Sequence, residues 1–186
     1  MTEIGGGRVI HESSYWKDDL LKIAKNLKKR RQQKRFSERS LANIEKEMFF
    51  SFFVIRKLIE SKKIADSTTD SKIIVYTYRS KGKGVTYYNR HKIEELYNLD
   101  DAVRETYKVK NVCNLFMHSY VFILWFEESG GLGGVILSSD FCKNNKLYNV
   151  GVGEIIKLLN KVGNDYPSKV HAIYLEDKKD YIVSLR

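Results

Sequence analysis

Only two cysteines, Cys113 and Cys142, stand in the 186 residues, with no CxxC pair between them. A disulfide framework is therefore not expected, and reduced thiols in a cytoplasmic setting are. Structural zinc needs four ligands; Cys113, Cys142 and His118 supply at most three loosely spaced ones, so no metal is expected. One proline in the whole chain excludes a Pro-rich linker architecture. No apolar run approaches the roughly 20 residues of a spanning helix. The longest, Tyr120 to Phe126, stops at Glu127, so a membrane partner is not expected. The opening MTEIGGGRVIHESS has no apolar stretch, and a signal peptide is not expected there. Zinc-finger, RRM and helix-turn-helix patterns are also missing, which speaks against sequence-specific DNA reading. Neither glycine cluster calls for a cofactor. Gly5 to Gly7 lacks the strand-then-helix context of a phosphate loop, and GGLGG (130–134) lies between two apolar runs as a turn does.

What is present is enough apolar and aromatic side chain, 42% and 12% of residues, to build a sizeable core. At roughly 150 residues per domain the length suits one domain. Residues 1–12 read as a flexible arm because three consecutive glycines disfavour regular structure. Residues 13–186 read as one α+β domain, helical over about 13–65 and 90–118 and strand-rich over about 72–88 and 119–186. The expected architecture is long N-terminal helices packed on a mainly antiparallel sheet, with a short C-terminal helix.

The periodicities place the elements. Trp16, Leu20, Ile23 and Leu27 make one stripe of a helix over about 14–35, with Ser13 or Ser14 as cap. Leu41, Ile44, Met48, Phe52, Ile55 and Ile59, widened by Phe49 and Phe53, predict a core helix over about 40–61. KIIVYTY (72–78) and VTYY (85–88), joined by RSKGKG, predict a hairpin. His91 to Asn98 reads as a short helix. Asp100 and Asp101 suit the start of another helix running through Val103, Tyr107, Val112 and Phe116 to His118. YVFILWFEE, GLGGVILSSD and KLYNVGV read as strands, residues 153–164 as an amphipathic helix, and KVHAIYLE with YIVSLR as a closing hairpin.

Charge supplies the first functional lead. The chain has 33 Lys and Arg against 23 Asp and Glu, a net +10. Between Lys17 and Arg39 ten cations face three acids, a local +7. Its centre, KKRRQQKRF, carries Lys28, Lys29, Arg30, Arg31, Lys34 and Arg35. A density of this kind attracts a polyanion through counterion release, so nucleic acid, RNA rather than DNA, is the expected partner. A solvated helix end or a docking surface for an acidic protein is the plainer alternative.

The second lead is Cys113-Asn114-Leu115-Phe116-Met117-His118. Asn114 and His118, four apart, share a helix face. The segment resembles the RNxxxH helix of HEPN proteins, helical domains of prokaryotic toxins and defence systems, many of them metal-independent RNases. The resemblance implies a catalytic role for His118 and an orienting role for Asn114. It also places the chain in a defence or toxin–antitoxin setting. Cys113 stands where that family has its phosphate-holding Arg, so a cation from elsewhere, Arg90, Lys108 or Lys110, would have to replace it. A weaker lead is Asp165 with Glu176-Asp177-Lys178 (ExK), which is similar to the metal-nuclease PD-(D/E)xK pattern.

The expected function is thus a small basic nucleic-acid-associated protein. One alternative is a HEPN-like RNase. The other is a non-catalytic subunit whose basic helix and YVFILWF strand pack on a protein partner.

Overall fold

The computed structural model describes residues 10–186, so the first nine residues of the expected arm lie outside the described part. The rest of that arm is not loose. Ile10 is buried in the main core, and the Glu12 carboxylate accepts the Ser14 N–H at 2.8 Å. That bond serves the start of α1 (Ser14–Arg30), where Ser13 makes no side-chain cap. The following α2 (Glu38–Glu60) is capped by Ser37, whose hydroxyl accepts the Ser40 N–H.

Two short helices, α3 (Asp66–Thr69) and α4 (Ile93–Leu96), flank β1 (Lys72–Arg79). Then come β2 (Val103–Lys108), α5 (Val109–Met117), β3 (Ser119–Phe126), β4 (Leu132–Ser139), β5 (Lys146–Gly151), α6 (Val152–Gly163), β6 (Val170–Leu175) and β7 (Asp180–Leu185). The class is α+β. Strands β2-β1-β5-β4-β3 form one sheet, antiparallel throughout, and β6 and β7 form a separate hairpin.

One sheet face carries Ile73, Val75, Val135, Leu137 and Val150 into the main core. Against it lie α5 and α6, with α1 packed on α6 and α2 on α5. On α2 the expected stripe is buried at Ile44, Met48, Phe52 and Ile55, and Phe52 stacks on Phe116 of α5 with ring centroids 3.6 Å apart. A smaller apolar cluster, Val85, Leu96, Tyr97, Val121 and Leu147, forms a second core. Among the described residues no helix is long and apolar enough to cross a membrane.

Three expected elements differ. VTYY is not a strand: β1 pairs instead with β2 and β5, while Val85 alone is buried and Tyr87 and Tyr88 are exposed. The helix expected from Asp100 starts only at Val109, because Val103–Lys108 pairs along β1 in register from Thr77↔Val103 to Lys72↔Lys108. The helix expected to reach Arg35 ends at Arg30, since after Leu27 no residue before Phe36 has an apolar side chain to bury.

Candidate functional site

The basic stretch has two parts. Lys28, Lys29 and Arg30 occupy the last turn of α1, where the helix dipole favours cations. Arg31 ends the helix, and Lys34 and Arg35 lie in an irregular segment before α2. All but half-buried Arg30 are exposed. Among the described residues none of the six has a carboxylate within ion-pair distance; the pairs lie elsewhere in the fold. The local bonds are internal: Arg30 Nη1 donates to Gln33 Oε1 at 2.6 Å, and Gln33 Nε2 to the Arg35 carbonyl at 2.5 Å.

The backbone of this segment is fixed from below by the β3–β4 turn. A Cβ on Gly131 would collide with the Arg31 carbonyl, and one on Gly130, which has φ +92°, would lie 3.1 Å from the Lys34 carbonyl oxygen. Only glycine permits that approach. Phe36 then closes the segment onto Phe126 of β3, with centroids 4.8 Å apart. Lys17, counted with the same charge run, is withdrawn from it. Its ammonium is buried, donates to the carbonyls of Lys63 (2.9 Å) and Asp165, and rests 3.9 Å from the centroid of the Tyr166 ring.

The second candidate region surrounds α5. Asn114 and His118 are both exposed, and the His118 N–H donates to the Asn114 carbonyl at 3.0 Å as the helix ends. Both line an open cavity of about 660 Å³ with Arg56, Tyr107, Phe141, Cys142 and Tyr148. Arg56 comes from α2: Nη1 donates to Asn114 Oδ1, and Nε donates to Glu60 Oε1 at 2.5 Å. Hydrogen bonds from Arg56 and then Lys57 hold the Glu60 carboxyl below its usual range. Cys113 faces the core, and burial pushes its thiol up to about 12. It takes no part in the cavity's chemistry.

Arg90 is not in this cavity. Its guanidinium donates to the Tyr120 carbonyl at 3.3 Å, lies against the rings of Tyr87 and Tyr120, and lines a separate cavity with Glu45 and His91. Lys108 is paired with Asp70 at 3.0 Å. The cation beside Asn114 is therefore Arg56, a residue the sequence reading missed. Its place depends on the Phe52–Phe116 contact between α2 and α5, and no local pattern announces that contact.

Behind the cavity, Glu105 on β2 accepts from Tyr107 Oη (2.7 Å), Lys146 Nζ (2.9 Å) and Thr77 Oγ1 (3.1 Å). These bonds, Tyr107's foremost, hold its carboxyl below the usual range and fix the Tyr107 hydroxyl. The ExK residues are not assembled into a site. The Asp165 carboxylate accepts the Ala65 N–H at 3.0 Å near the base of the terminal hairpin, whereas Glu176 and Lys178 form the turn at its far end. YVFILWF is β3, and it buries Val121 in the smaller cluster while Phe122 and Leu124 pack on the main core.

The basic segment and the His118 cavity lie toward opposite ends of β3, roughly 20 Å apart at about 3.3 Å per strand residue. Comparison with protein-family models, curated proteins and solved structures finds no match for this chain.

Proposed function

We propose that this chain binds nucleic acid, RNA in preference to DNA, through Lys28, Lys29, Arg30, Arg31, Lys34 and Arg35. One observation carries the reading: these cations stand on a backbone held by glycine contacts and an aromatic pair, and among the described residues no acid of the chain neutralises them. A surface of this kind meets phosphates without first breaking internal ion pairs. Contacts to phosphate position the strand and do not read its bases, so affinity is expected to vary little with sequence. Fluorescence anisotropy with labelled RNA tests this. Changing Lys28, Lys29, Arg30 and Arg31 together to Ala should weaken binding of unrelated sequences alike. Unchanged affinity would remove the proposal.

A second reading is favoured by the Arg56–Asn114 hydrogen bond in the cavity that His118 lines. Here the chain is a metal-independent RNase resembling HEPN enzymes. His118 would take the proton from a ribose 2′-hydroxyl, whose oxygen attacks the adjacent phosphorus. Arg56, oriented by Asn114, would balance the charge gathering on the phosphoryl oxygens. The bond from phosphorus to the 5′-oxygen breaks and that oxygen takes a proton from water, giving a 2′,3′-cyclic phosphate and a 5′-hydroxyl. RNA should then be cut in EDTA, and His118→Ala should abolish the cutting. Intact RNA after incubation with the unsubstituted chain would end this reading.

A further inference from the structure

The sheet face turned away from the main core holds a groove of about 440 Å³, and Arg31 of the basic segment lines it. Its floor is aromatic. Trp125 of β3 pairs with Gly134 of β4, and its indole lies across β4: a Cβ on Gly133 would collide with the six-membered ring, and one on Gly134 would lie 2.9 Å from Nε1. Trp125 Nε1 donates to Asn149 Oδ1 at 2.9 Å, and Asn149 Nδ2 donates to the Tyr78 hydroxyl oxygen at 3.4 Å. Tyr76 stands opposite Asn149 in the β1–β5 register and is 42% exposed. Two carboxylates also border the groove. Glu154 is paired with Lys157 at 2.7 Å, and Glu127 lies just past the end of β3.

These features divide the groove chemically. Glu127 and Glu154 repel phosphate, while Arg31 and the segment behind it attract it. The aromatic floor between them suits a flat, uncharged ring. The volume falls in the range of small-molecule sites, roughly 300–1,000 Å³. A base enclosed in a duplex cannot offer its face to such a floor, whereas an unpaired base can.

We propose that this groove receives an unpaired base of single-stranded RNA, stacked against Trp125 and Tyr76, while the phosphodiester chain runs along Arg31, Lys34 and Arg35. The proposal rests on the reading that the basic segment binds RNA, and it adds the strandedness of the ligand and the residues that select it.

The test uses the full chain carrying Trp16→Phe, which leaves Trp125 as the single tryptophan. It is titrated with a 12-nucleotide oligoadenylate and with a duplex RNA of equal length. The single strand should quench Trp125 emission, protect it from acrylamide and bind more tightly than the duplex. Tyr76→Ala should lower single-strand affinity roughly tenfold and spare duplex binding, with Tyr76→Phe restoring the affinity. The acrylamide readout needs no change at Tyr76 and holds even where Tyr76→Ala folds poorly. Equal affinity for both RNAs with no protection of Trp125 would overturn the groove while leaving the basic segment in place, provided the four-Ala variant weakens both. Absence of binding to either RNA at low salt would overturn the basic-segment reading and the groove together.

Discussion

At the scale of single residues, the same side-chain type takes opposite roles according to what surrounds it. Lys17 and Lys28 lie on one helix, yet Lys17 is buried and Lys28 is exposed. Burial lowers the Lys17 pKa, and its bonds to two carbonyls offset that cost. Lys17→Ala should destabilise the fold by about 2–3 kcal/mol, measured by urea unfolding, because carbonyls lose a charged partner. It should leave RNA affinity unchanged, whereas the same substitution at Lys28 should do the reverse. Glu105 gives a pH prediction. Its folded pKa lies below the usual value of 4.5, so the fold favours the ionised form. Its contribution is therefore complete above pH 4.5 and is lost as pH falls through the lowered value. The Glu105–Lys146 pair is about a third exposed, which limits the effect to about 1 kcal/mol. Unfolding followed from pH 7 to pH 3 should show Glu105→Gln less stable at neutral pH and converging on the unsubstituted protein in acid. In the RNase reading Arg56→Ala should cut the rate about 10²- to 10³-fold, followed by release of the cyclic-phosphate product.

At the scale of elements, the basic segment depends on a turn that is distant in sequence. Gly131 touches the Arg31 carbonyl so closely that an added methyl must displace one backbone or the other. Gly131→Ala should cost about 1–3 kcal/mol in thermal unfolding and weaken RNA binding although it removes no charge. Some elements were legible because their period was clean. The α2 stripe repeats at helical spacing, and KVHAIYLE and YIVSLR flank a charged turn. The β2–α5 join was not legible. Val103, Tyr107, Val112 and Phe116 keep near-helical spacing across a strand-to-helix change that no glycine or proline marks. Val85–Tyr88 has strand composition, but β1 already holds β2 on one edge and β5 on the other.

At the scale of the whole molecule, the fold class and the basic stretch could be read locally, but the surroundings of the candidate sites could not. Arg56 reaches Asn114 because Phe52 stacks on Phe116, a contact between residues far apart in the chain. Truncating Phe52 to Ala should cost about 3–5 kcal/mol in urea unfolding and disturb that cavity from a distance. The aromatic groove likewise needs β1, β3, β4 and β5 side by side before Tyr76, Trp125 and Asn149 become neighbours. Composition announced the charge, and topology decided what stands beside it.

The central claim is that the six cations meet a phosphodiester chain directly. Its most direct measurement is the salt dependence of RNA affinity. With about six phosphates contacted, log K should fall against log salt with a slope of about −4 for a single strand. Removing four of the cations should bring that slope to about −1.5. A slope near zero, or one that the four-Ala variant leaves unchanged, would contradict the claim.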